Sequence, residues 1–160
     1  MLPNLILNDV AVDDSYTVVG LEDAVPATGD VILPLQTWLE QGPELRTSGR
    51  KVGVWLASDQ LAEDLNDSVK SADVIAIEFP KFADGRGFST AYLVRNRLGY
   101  TGELRAIGDF LLDQLFFLRR VGFNAFRIPE DKSIEKGLEL LAPINVRYQA
   151  STDGVGIRLA

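Results

Sequence analysis

Cysteine and histidine are both missing from this chain, and methionine occurs once. Without thiols there are no disulfides, no thiolate zinc sites and no cysteine-held iron–sulfur clusters. Without imidazole there is no histidine-ligated haem and no triad that uses histidine as its base. Proton transfer and nucleophilic work fall to carboxylates, lysine, tyrosine, serine and threonine. The same shortage of soft and imidazole ligands predicts no tightly held transition metal. Long apolar runs are lacking too, since nothing approaches the roughly 18 consecutive apolar residues of a membrane helix. The opening stretch MLPNLILNDVAVDD has no basic region and carries acids where a signal peptide would have its cleavage region. A cytoplasmic protein with no membrane partner is expected. Positive charge is short as well: 16 Lys and Arg against 23 Asp and Glu give a net charge of −7. That balance argues against a nucleic-acid partner, because phosphate neutralisation needs a basic surface.

What is present is an ordinary globular composition, 46% hydrophobic and 24% charged over 160 residues, enough for one domain with a real core. From Gly29 onward, short β-branched runs alternate with helical patterns, the signature of βα units and a mostly parallel sheet. About six strands are expected: Asp30–Pro34, Lys51–Ser58, Asp73–Pro80, Glu103–Gly108, Asn124–Pro129 and Asn145–Ser151. Residues 1–28 alternate apolar and polar positions and read as an N-terminal β hairpin or arm, with residues 29–160 forming the α/β domain. Two architectures fit this α/β class, an open sheet with crossover helices on both faces or a curved sheet resembling part of a (β/α) barrel.

Helical spacing recurs between the strands. Leu61, Leu65 and Val69 form one stripe, and Ala91, Val94 and Leu98 another. A third helix is expected from about Asp109 to Val121, with Leu111, Leu115 and Leu118 in one row, Asp109 as N-cap and Gly122 as terminator. Ser133–Leu141 reads as a fourth. The segment LQTWLEQ is a weaker helix signal because Gly42 and Pro43 interrupt it. Trp38, Trp55 and the phenylalanines read as core.

Parallel α/β folds bind ligands at the carboxyl ends of their strands. The loop after Pro80 carries Lys81, Asp84, Gly85, Arg86, Gly87 and Ser89, and the loop after the Glu103–Gly108 strand carries Asp109, with Asp113 one turn on. Gly85 and Gly87 would let backbone N–H groups approach an anion, and Arg86 would supply a planar fork. The alternative is a plain turn, with Arg86 solvated or paired to Asp84. Asp109 and Asp113 could orient arginines or meet Mg²⁺, or simply cap a helix and complement its dipole. Arg105, Arg127 and Arg147 each interrupt an apolar strand pattern. A buried arginine is costly unless paired, so these side chains meet carboxylates such as Glu78, Asp84 and Asp109, converge on an anion, or point outward. The candidate ligand-binding set is therefore Lys81, Asp84, Gly85, Arg86, Gly87, Ser89, Arg105, Asp109 and Asp113, with Asp84, Arg86, Arg105 and Asp109 expected in one polar cleft.

The runs FPKFADGRGFS, GYTGELRAIGD and DQLFFLRRVGF, together with GDVILPLQTWL, VGVWLAS and VRYQAS, resemble an uncharacterised bacterial family described as oxidoreductases involved in sulfite reduction and associated with assimilatory sulfite reductase. The resemblance implies a place in sulfur assimilation. It leaves two readings open: an accessory protein that binds a small oxyanion (sulfite, sulfate or phosphate) or docks on the sulfite reductase, and an oxidoreductase with a borrowed cofactor or one bound without a familiar motif. No dinucleotide fingerprint is present, and no cofactor is assigned.

Overall fold

The computed structural model describes residues 4–57, 60, 65, 67–79 and 86–142. Its strands are β1 (Leu5–Leu7), β2 (Val10–Val12), β3 (Thr17–Val18), β4 (Val31–Pro34), β5 (Val52–Leu56), β6 (Val74–Phe79), β7 (Glu103–Gly108) and β8 (Ala125–Arg127). The helices are α1 (Leu35–Thr47), α2 (Arg86–Asn96), α3 (Leu115–Val121) and α4 (Ile134–Leu141). All eight strands form one sheet in the order β2-β1-β8-β7-β6-β5-β4-β3. Strands β3 to β8 are parallel and follow chain order, and β1 joins β8 antiparallel. A run of crossovers that all advance the same way puts the helices on one face. Helix residues Trp38, Ala91, Val94, Leu115, Leu118 and Leu141 accordingly share one core with Val54, Ile75, Ile77, Leu104 and Phe126 of the strands.

The sheet is a strongly curled, open half-barrel, the second of the two expected architectures, with eight strands rather than six. The additional strands come from the amino-terminal segment. Asn8 and Asp9, at φ 52° and 69°, turn β1 into β2, a left-handed pair that suits a tight hairpin. The chain then leaves one edge of the sheet with β2 and enters the opposite edge with β3. Only residues 13–16 connect them, a reach of at most about 18 Å for extended chain. Eight strands laid flat would separate those edges by about 34 Å. The sheet must therefore curl, and residues 13–16 act as a strap across its concave side.

Five expected strands stand where the β-branched runs put them, and Asn145–Ser151 lies outside the described residues. The helix expected from Asp109 begins later. After β7, Gly108 adopts φ 94°, Phe110 is fully buried, and Leu111 is extended and 55% exposed. A single 3-10 turn at Leu112–Gln114 then leads into α3. Asp109 is thus no N-cap, and the Gln114 side chain accepts the Leu111 N–H at 3.0 Å instead. Phe110 decides the outcome: its ring packs edge-on to Phe79 and Phe126, which draws the chain under the sheet before a helix can start. Helix α1 continues through Gly42 and Pro43, and the Trp38 indole lies where a side chain at Gly42 would stand. Of the Leu61–Val69 stripe, Val69 lies in a 3-10 turn, Asp67–Ser71, and Leu61 falls outside the described residues.

Gly87 has a packing role in this frame. A Cβ there would come within 2.6 Å of the Phe79 ring, so the first turn of α2 can lie on β6 only with glycine at this position. We expect Gly87→Ala to cost about 1–3 kcal/mol in urea unfolding, with or without added anions.

Candidate functional site

Strand alternation divides β7 cleanly. Leu104 and Ala106 join the helix-side core, while Glu103, Arg105 and Ile107 face the concave side. Arg105 is 1% exposed. It donates through Nη1 to Asp14 Oδ1 at 3.1 Å and through Nε to Glu103 Oε2 at 2.8 Å, and its guanidinium lies 5.2 Å from the centre of the Tyr16 ring. Asp14 Oδ1 also accepts the Tyr16 N–H at 3.1 Å, which fixes the strap's own bend. Arg127 of β8 places Nε 3.7 Å from Asp14 Oδ2. Two guanidiniums and two carboxylates thus bind the strap to the middle of the sheet. Beside them, Ile32, Trp55, Val74, Ala76 and Ile107 make a second apolar cluster with Tyr16 and Val18, and Trp55 Nε1 donates to the Val19 carbonyl at 2.8 Å.

These contacts answer part of the sequence reading. Arg105 meets Asp14 and Glu103, and not Glu78 or Asp109. Asp109 lies four positions farther along the chain and holds the end of β6 through its own N–H to the Phe79 carbonyl, 2.8 Å. Ser89 and Asp113 are exposed, and Gly87 is buried against Phe79. Lys81, Asp84, Gly85 and Arg147, together with the Arg86 side chain, lie outside the described residues. Arg95 of α2 is a clamp: it donates to the carbonyls of Gly122, Tyr100 and Gly102 at 2.8–2.9 Å.

The place that sequence reasoning missed is the mouth of the half-barrel, where the parallel strands end. A cleft of about 320 Å³ opens there, lined by Asn4, Val18, Glu78, Ile107, Gly108, Arg127, Pro129 and Glu130 among others. Glu78 pairs with Ile107 across β6 and β7, and Arg105 pairs with Ala125 across β7 and β8. Two residues on, Ile107 and Arg127 therefore continue the same row. Glu78 and Arg127 thus flank Ile107 on one face, two strand spacings or about 10 Å apart at the backbone. Gly108 forms the rim, where a positive φ and the adjacent Phe79 backbone exclude any side chain. The signal available in the sequence was that Arg105 and Arg127 each interrupt an apolar strand pattern, but the register that puts them on one face and aligns Glu78 with Arg127 is a property of the folded sheet.

The model of a bacterial protein family of unknown function, DUF934, matches residues 53–156. The chain belongs to this family. No curated protein and no solved structure matches it. The matched stretch includes Glu78, Glu103, Arg105, Gly108 and Arg127, and excludes the strap with Asp14 and Tyr16. Among the described residues there is no group of three or more carboxylates placed to hold a metal ion, and no helix long and apolar enough to cross a membrane.

Two predictions follow from the buried cluster. Arg105→Ala should cost about 3–5 kcal/mol, since it strands Asp14 and Glu103 away from water. A companion variant, Arg105→Met with Asp14→Asn, should recover part of that loss in chemical denaturation. The second concerns alkaline pH. Tyr16 and Tyr100 are held above the ordinary tyrosine value, chiefly by burial and then by neighbouring carboxylates, Asp73 and Glu103 for Tyr16 and Glu103 first for Tyr100. Both phenols must be neutral in the fold, so their contribution is complete below the unfolded value of about 10 and is lost as pH rises from there through the raised folded values. Their phenolate absorbance should appear together with unfolding, and changing both to Phe should flatten the alkaline fall in stability.

Proposed function

We propose that this protein is an accessory component of assimilatory sulfite reduction that binds a small oxyanion at the mouth of its half-barrel. The pathway comes from the sequence resemblance, and the binding mode from one observation. Arg127 Nε is buried and has no hydrogen-bond partner among the described residues. Asp14, its nearest carboxylate, is at 3.7 Å, beyond hydrogen-bond range. Buried donors are nearly always satisfied, so a donor left over beside an open cleft favours an acceptor supplied by a ligand. Nε itself is shut off from the cleft, whereas the Arg127 side chain as a whole is 40% exposed and lines it, so a ligand would meet the guanidinium through its other nitrogens. The setting agrees with the general habit of parallel α/β sheets, which bind at their carboxyl edge.

Docking on the sulfite reductase is the second part of the reading. It is favoured by an exposed aromatic face: Phe117 is 50% and Phe116 39% exposed on α3, next to Leu111 at 55%, and Phe88 of α2 packs against Phe117 at 5.1 Å. Purified sulfite reductase should then retain the wild type on a column and release a Phe116→Ser, Phe117→Ser variant.

Thermal melts at matched ionic strength test the oxyanion. At an anion concentration about a hundredfold above Kd, the melting temperature should rise by about 5–10 °C. Arg127→Ala should abolish the rise while Arg127→Lys keeps a part, because lysine retains the charge and loses the fork. A wild type whose melting point ignores sulfite and phosphate alike would sink the reading. Deletion of the gene should prevent growth on sulfite and permit growth on sulfide.

A further inference from the structure

We propose that this cleft selects oxyanions that still carry a proton, such as hydrogensulfite and the protonated phosphates, and turns away fully ionised ones such as sulfate. The inference rests on the oxyanion reading above and names its ligand class. It comes from the carboxylates that share the cleft with Arg127. Glu78 and Glu130 both line it. Glu78 is exposed and has no hydrogen bond or ion pair among the described residues. In the row Glu78, Ile107, Arg127 the apolar side chain lies between the two charges, so the acid and the guanidinium are held apart and neither neutralises the other.

A ligand seated on Ile107 therefore meets donors on one side and acceptors on the other. Arg127 can only donate, and an ionised carboxylate can only accept. Sulfate near neutral pH is acceptor-only. It would satisfy Arg127 while turning bare oxygens toward Glu78, where like charges oppose each other. A protonated oxyanion satisfies both sides at once: its unprotonated oxygens accept from Arg127, and its O–H donates to Glu78 in a charge-assisted bond. Asn4, whose amide can donate or accept, lines the same cleft and suits either orientation. Charge balance on the concave side points the same way. Among the described residues lining the cleft Arg127 is the one cation, and Glu78 and Glu130 set two negative charges beside it, so an anion of lower charge that brings its own proton is favoured over a dianion.

Phosphate and sulfate share a tetrahedral shape and differ near neutral pH in the proton, which makes them the probes. Calorimetric titration and thermal melts of the full chain should show phosphate binding at least about tenfold more tightly than sulfate, the size of one charge-assisted hydrogen bond against an unfavourable contact. Hydrogensulfite should side with phosphate, its effect growing as pH is lowered and its protonated fraction rises. Glu78→Gln, whose amide can donate, should bring sulfate to within about threefold of phosphate. Glu130→Gln tests the other carboxylate in the same way, and both positions are accessible enough for the fold to tolerate the exchange. Equal binding of phosphate and sulfate by the wild type would overturn the selection and leave the oxyanion reading intact. So would a preference that survives in both glutamine variants. Binding of none of the three anions would overturn the oxyanion reading itself.

Discussion

The ion pairs of Arg105 hold the concave side of this protein together. A guanidinium at 1% exposure cannot stand alone, and its two carboxylates come from very different places. Glu103 is a neighbour on the same strand, which any β-strand would present on the same face. Asp14 belongs to the strap, 91 positions away in the chain. That long-range contact ties the amino-terminal connection to the centre of the sheet. The strap in turn is too short to join β2 to β3 unless the two edges approach each other, so the curvature of eight strands and the pairing of one arginine are a single constraint. Removing either partner would leave a buried charge and slacken the strap together.

Curling also decides what can be a site. A flat parallel sheet would bury both faces under helices, whereas here the helices share the outer core and, among the described residues, the inside is closed by residues 13–16 with Tyr16 and by Val18 and Trp55. That filling covers the amino-terminal half of the concave face. Toward the carboxyl ends of β6, β7 and β8 it stops, and the residues in the next row, Glu78, Ile107 and Arg127, border open space. Among the described residues the cleft is thus a consequence of a strap that crosses one end of a half-barrel and leaves the other end uncovered.

Much of the frame was legible in the sequence, and the reasons are local. Strands β4 to β6 are apolar runs rich in valine and isoleucine, and β7 falls at Glu103–Gly108 as expected because Gly102 and Gly108 bracket it. Ser133 caps α4 through its side chain, accepting the Lys136 N–H at 3.2 Å, a signal that depends on four neighbouring residues. What could not be read is non-local. The amino-terminal hairpin was expected from its alternation, but not its place: β1 adds to the sheet beside β8, and the two-residue β3 joins the opposite edge beside β4. The start of α3 was misplaced because Asp109 has the right chemistry for a cap, yet Phe110 gains more by entering the core. The same limit applies to the site. Gly87, a candidate for anion binding, packs against Phe79, and Arg95 clamps three carbonyls, while Glu78, expected as a partner of a strand arginine, is set by the sheet register in a row with Arg127.

Arg105 and Arg127 show how one pattern acquires two meanings. Both interrupt apolar strands, both face the concave side, and both approach Asp14. The difference lies in depth and in arithmetic of donors. Arg105, under the strap, reaches two carboxylates at hydrogen-bond distance and has its charge fully answered. Arg127 sits one row closer to the mouth and finds the same Asp14 already engaged by Arg105 and by the Tyr16 N–H, so the remaining oxygen stays at 3.7 Å. The total charge of the four groups is zero, and it is geometry that leaves one donor unmet. A short strap that can bring only one carboxylate to two arginines thus folds the sheet with the first and leaves the second facing the cleft.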